Sequence, residues 1–200
     1  MEAIEAIFAR RSVGRLTTPA PSAEELDLLV QAAAAAPDHG ELKPWQFVVL
    51  QGDAKDAFGE VLADAYIARC AEVGAEPQPA KTDKERTKLG RAPVVVIVAA
   101  VHRHSDKILW DEQLAAAAAA AQNMLLAATA LGYGSMWRTG EPAYDPRVKE
   151  ALGLTDHDAI VGFIYLGTPA EGSGKDPRRP SIEGLVKEWR PGDGRRSSTI

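Results

Sequence analysis

APVVVIVAAV, residues 92–101, decides the class of fold. It carries no charge and is built almost wholly of β-branched and small apolar residues. It therefore reads as a strand buried on both faces. Such a strand needs a layer of helices on each side. Residues 106–131 supply one long helix, with seven consecutive alanines from Ala115 to Ala121. Alanine has the best helix propensity and lets a neighbouring backbone approach closely. This reads as a buried central helix that also packs on its twin in a homodimer.

Working outward, WQFVVL (Trp45–Leu50) and AIVGFIYLG (Ala159–Gly167) are further strands, and GYGSMWR turns into a short one. Near the start, Ile4, Ile7 and Phe8 share one helical face. Ser22 with Glu25 makes a capping box for a helix carrying Leu26, Leu29, Val30 and Ala33. Pro37 lies just beyond it. Asp53 opens a helix with Phe58, Val61, Leu62 and Ala65 inward, and Asp145 caps one that Gly153 closes. The class is α/β or α+β with helices covering a sheet. Residues 72–89 are polar and hold Pro77 and Pro79. They read as a mobile excursion, either a lid or flap beside a site or a passive surface loop. SIEGLVKEW is expected as an ordered piece near the end. Residues 1–190 read as one domain, and 191–200 as a disordered tail.

The chain has 200 residues and a formal net charge of -5. That length suits one domain with a real core. The acidic balance argues against nucleic-acid binding. With Cys70 alone there is no intramolecular disulfide and no thiolate zinc cluster. The first residues do not read as a signal peptide, and no stretch has the roughly 20 apolar residues of a membrane span. The expectation is a cytoplasmic protein without a membrane partner.

Positive charge nevertheless gathers in FARRSVGRL, residues 8–16. Arg10, Arg11 and Ser12 at a helix end offer charge-assisted donors and a hydroxyl, which suit a phosphate. Equally, the arginines could serve only the negative end of the helix dipole. In APDHGELKPWQFVVL, His39 is either a ligand contact or acid/base group, or a plain turn residue. GYGSMWRTGEP brings glycines, Trp137, Arg138 and Thr139 to a strand end. Its Gly-x-Gly lacks the third glycine of a dinucleotide fingerprint. His102 and His104 have no clear third ligand, so no metal is expected. A nucleophile elbow and a Walker loop are absent.

In this order, IFARRSVGRL, APDHGELKPWQFVVL, APVVVIVAAV, ALGYGSMWRTG and IVGFIYLGTP resemble the nitroreductase family of flavoproteins. The likeness runs from Ala3 to about Pro169. It is nearest to the small subgroup of NAD(P)H nitroreductases with PDH and WR(S/T)G at these places. The resemblance implies an α+β, three-layer α-β-α sandwich in an intertwined homodimer, with FMN at the dimer interface. It implies that Arg10, Arg11 and Ser12 hold the FMN phosphate end. His39 would reach the flavin from the partner chain. Trp137, Arg138 and Thr139 would line it, with Gly140 bringing backbone close. Arg138 would have an electrostatic role, and no side chain need be an obligatory acid or base.

The chain departs from the family pattern at three places. Glu41 and Lys43 stand where many relatives carry asparagine and glutamine. Ala35 replaces an arginine of close relatives. Lys175, Arg178 and Arg179 either supply substitute charge to the phosphate or form a solvated tail. The implied activity passes electrons from NADH or NADPH through FMN to nitroaromatic, quinone or similar electron-poor acceptors by a ping-pong mechanism. Rival readings are a dehalogenase, an enone reductase or a flavin-cleaving enzyme of the same fold, a flavin-binding sensor without turnover, and a ligand-free dimeric scaffold.

Overall fold

A computed structural model describes residues 1–173 and 180–190. The elements run α1 (Ala3–Ala9), β1 (Leu16–Thr17), α2 (Ala23–Ala34), β2 (Trp45–Gln51), α3 (Asp53–Glu72), α4 (Pro79–Thr87), β3 (Val94–Ala100), α5 (Trp110–Ala130), β4 (Gly134–Arg138), α6 (Glu141–Tyr144), α7 (Pro146–Ala151) and β5 (Ala159–Pro169). Every strand pairing is antiparallel. β3 lies between β2 and β5, while β4 and the short β1 also pair with β5. The class is α+β.

The strand at residues 94–100 is buried along its whole length, and its alternation separates two cores. Val94, Val96, Val98 and Ala100 meet α2 and the alanines of α5. Val95, Ile97 and Ala99 meet Phe58, Leu62 and Ala65 of α3 and Val148 of α7. β5 does the same, with Ile164 and Leu166 on the first side and Phe163 and Tyr165 on the second. Two helical layers thus sandwich the sheet. Small residues let α5 come close, and Asn123 ties it to α2 by donating to the Ala32 carbonyl at 3.1 Å.

The expected caps form. Ser22 accepts from the Glu25 N–H, and Glu25 accepts in return from the Ser22 N–H. Asp145 accepts from the Arg147 N–H at 2.9 Å.

Three expectations need correcting. The long helix begins at Trp110, not residue 106. The Ser105 hydroxyl accepts from the N–H groups of Lys107 and Ile108, and this local turn competes with helix. Residues 72–89 are not an irregular loop. They contain α4, with Pro79 at its first position, followed by a 3-10 turn at Lys88–Arg91. Gly59 explains the packing of α4 on α3, because a Cβ there would lie 2.1 Å from the Arg86 carbonyl oxygen. The helix α1 forms as expected, and the face with Ile4, Ile7 and Phe8 points outward while only Ala6 is buried. SIEGLVKEW makes a single turn, with Ile182, Leu185, Val186 and Trp189 exposed. The expected tail at 191–200 and the cations Lys175, Arg178 and Arg179 lie outside the described residues.

Asp158 closes the approach to β5. It accepts from the His102 N–H at 2.8 Å and from the N–H and hydroxyl of Thr155. Burial pushes its carboxyl upward. The Thr155 and His102 N–H groups, the Thr155 hydroxyl and the Lys149 charge outweigh that, so the group titrates below its ordinary value. A lowered folded pKa contributes stability that is complete above the unfolded value and lost as pH falls through the folded one. Asp158→Asn should therefore reduce stability at pH 7 and flatten its fall below about pH 4. Urea unfolding of both proteins across pH 2.5–7 checks this, and parallel profiles would contradict it.

Candidate functional site

α1 ends at Ala9, and the next residues run beside β4. The Val13 N–H donates to the Ser135 carbonyl at 2.9 Å, and Ser12 and Ser135 form a parallel bridge. This places Arg10, Arg11 and Ser12 along the strand that ends in Trp137 and Arg138. Arg11 is half-buried and lines a hollow with Val13, Thr129, Gly132 and Tyr133. Its Nε is buried with no hydrogen-bond partner. A buried unpaired guanidinium N–H is costly, so it marks a place that suits an anion.

At the far end of β4, successive side chains take opposite sides of the sheet. Trp137 packs toward the α5 core. Its indole N–H donates to the Val161 carbonyl at 3.1 Å, so only the ring is left for a ligand. Arg138, Thr139 and Gly140 are exposed and line a cleft of about 300 Å³ on the other side. Its floor is Phe163 and Tyr165, and its wall includes Lys81, Lys84 and Lys88. Burial raises the Tyr165 hydroxyl pKa, against the opposing charges of Arg138 and Arg91. The segment 72–89 was legible as lying beside a site, but its helical form and its lysine face were not, because it reads as a loop. Its signal is the spacing of the lysines at 81, 84 and 88, which share one face once α4 is a helix.

His39 is not brought to this cleft. It sits in the 3-10 turn His39–Glu41, largely exposed, with Nδ1 3.4 Å from Glu112 Oε1 at the start of α5. A separate hollow there is lined by Pro37, Asp38, Ala115 and Ala119. His39 and Arg138 thus belong to opposite helical layers of one chain. Glu41 and Lys43 beside it adopt φ of 54° and 48°. That left-handed region is costly for residues with a Cβ but easier for asparagine. The Lys43 N–H donates to the Asp38 carboxylate at 2.6 Å. Lys43→Asn should raise stability by about 1 kcal/mol, measured by thermal or urea unfolding. A loss of stability would contradict the reading of strain.

Arg69 on α3 braces the segment after Gly140. It pairs with the wholly buried side chain of Asp145, and its other terminal nitrogen lies 3.6 Å from Glu141. Lys81 on α4 also reaches Glu141, at 3.7 Å. The described residues contain no group of three or more histidine, cysteine, aspartate or glutamate side chains fit to hold a metal. They contain no helix long and apolar enough to cross a membrane.

The chain is similar to "Putative NAD(P)H nitroreductase YdjA" of Escherichia coli K12. The two are 39% identical over 169 residues, covering 84% of this chain and 89% of the relative. Its fold resembles that of a nitroreductase-like family protein from Bacillus cereus, with a TM-score of 0.76 and 24% identity over 96% of this chain and 97% of the other. It also resembles a Bacteroides fragilis nitroreductase solved with bound FMN, with a TM-score of 0.70 and 25% identity over 95% of this chain and 100% of that one. The model of the nitroreductase family matches residues 7–168, and on this evidence the chain belongs to the nitroreductase family.

Proposed function

We propose that the chain is an FMN-dependent oxidoreductase that takes electrons from NADH or NADPH and passes them to nitroaromatic, quinone or similar electron-poor acceptors. The observation that carries this reading is the buried, unpartnered Nε of Arg11 beside Arg10 and Ser12. Those groups fit the FMN phosphate, a dianion that arginine can grip with two parallel donors. Bound FMN supplies the two-electron chemistry, and the chain positions and tunes it. The bound FMN of the Bacteroides fragilis relative supports the choice of cofactor.

Arg138 and Thr139 line the ring in this reading, with Gly140 offering close backbone, while Trp137 faces the α5 side of the sheet and braces that strand end instead of lining the same cleft. Arg138 is exposed and its Nε meets only the Met136 sulfur, at 3.0 Å, so its charge is available to steady negative charge on the ring. A flavin touching both Arg138 and His39 must take them from different chains, because one chain holds them in opposite layers. In this reading the functional unit is a homodimer, which the outward apolar residues Ile4, Ile7, Leu185 and Trp189 support. In this reading residues 1–190 act as one domain and the enzyme works in the cytoplasm, where NAD(P)H is at hand.

Steady-state kinetics test the reading. Parallel double-reciprocal lines for NADPH or NADH against a nitroaromatic or quinone are expected, since donor and acceptor use one open face in turn. Intersecting lines would contradict a shared face, and absence of turnover with both donors would overturn the activity.

A further inference from the structure

The cleft beside Arg138 is more cationic than the cofactor reading requires. Lys81, Lys84, Lys88, Arg91 and Arg138 line it, against Glu85 and Glu141. Both carboxylates are already engaged, Glu85 by Lys88 and Glu141 by Lys81 and Arg69. Lys84 and Arg91 form no ion pair among the described residues, and both are exposed at the rim. An acidic chain has thus left cations uncompensated around a concave site.

A second observation comes from the cleft floor. Tyr165 is only 4% exposed and lines the cleft, yet its hydroxyl has no hydrogen-bond partner among the described residues. The hydroxyl oxygen keeps solvent contact on the cleft side, so it is free to donate to a ligand atom seated there.

We infer that Lys84, Arg91 and the Tyr165 hydroxyl form a subsite for an anionic group, carboxylate or phosphate, on the electron acceptor or donor. The inference rests on the proposed flavin site. With the FMN phosphate at Arg10–Ser12 and its ring beside Thr139 and Gly140, the α4 wall is left to the second reactant. Two sources carry the required chemistry, namely an acceptor bearing a carboxylate and the 2′-phosphate that distinguishes NADPH from NADH. Exposed cations act weakly and are screened by salt, so discrimination should be modest and greatest at low ionic strength.

The test uses the flavin-loaded enzyme and the variants Lys84→Gln, Arg91→Gln, Tyr165→Phe and Lys84→Gln/Arg91→Gln. Both rim side chains are exposed and unpaired, so these changes spare the fold. Two ratios of kcat/KM are read in about 20 mM salt, 4-nitrobenzoate against 4-nitrobenzyl alcohol and NADPH against NADH. At least one ratio should favour the anion by about fivefold or more. It should collapse toward one in the double variant and shrink in 0.5 M salt. The ratio that collapses identifies the source. Calorimetry gives a readout apart from turnover, because benzoate or 2′-phosphoadenosine should bind the wild type more tightly than the double variant. Ratios and binding unchanged in every variant would overturn the inference, as would variants that lose FMN affinity while keeping the wild-type ratios. Failure of the flavin reading itself is distinguishable, because the protein would then take up no FMN.

Discussion

Gly162→Ala should cost the chain about 3 kcal/mol or more of stability, because the new methyl has nowhere to go. An ideal Cβ there would lie 2.1 Å from Trp137 Nε1, 2.5 Å from its Cδ1 and 3.0 Å from the Arg138 carbonyl oxygen. The indole cannot simply swing aside, since its N–H is held by Val161. Displacing the ring breaks that bond and disturbs the strand end that carries Arg138 and Thr139. Urea unfolding reads the loss, and a shift in tryptophan emission reads the moved ring. Combining the change with Trp137→Val should recover part of the stability, since the two effects share one clash. A fully stable Gly162→Ala protein would mean that the indole does not lie across residue 162.

Asp145→Ala should be comparably damaging, by about 3 kcal/mol, through two mechanisms. The carboxylate caps α7 through the Arg147 N–H, and loss of such a cap costs about 1 kcal/mol. It is also the wholly buried partner of Arg69, so its removal strands a charge whose other terminal nitrogen already lacks a hydrogen bond. Breaking a buried pair from one side costs about 3–5 kcal/mol in full burial. Arg69 is 22% exposed and has Glu141 nearby, so the lower end applies. Asp145→Asn keeps a capping oxygen and loses the charge, so it should fall between the two. Equal stability of the alanine variant and the wild type would remove Asp145 from the account.

The sequence carried the sandwich because its decisive signals are local and strong. Val94–Ala100 has no polar position, and the Ser22–Glu25 box and the Asp145–Pro146 cap are set by neighbours within a few residues. The features that were misread depend on distant partners. Residues 72–89 are polar, so nothing in them announces that Gly59 leaves room for the backbone of α4. Ile4, Ile7 and Phe8 share a face of α1, but one chain offers that face no core. Of the candidate site, Arg10–Ser12 and Trp137–Gly140 were legible as motifs, and the fold aligns them along β4. The lysine wall and the Tyr165 hydroxyl were not, because they meet only when α4 folds over β5. The placement of His39 in the opposite layer likewise follows from topology, not from its turn.

The most direct measurement is the absorption spectrum of the purified protein, with FMN added if needed, followed by anaerobic NADH and then NADPH. The account predicts a bound-flavin spectrum that bleaches within seconds with at least one nicotinamide. It also predicts weaker FMN binding in Arg11→Ala. A protein that stays colourless after incubation with FMN would contradict the account at its centre. In that case the site at Arg10–Ser12, with Glu41, Lys43 and Ala35 at the departures from the family pattern, would not hold the cofactor.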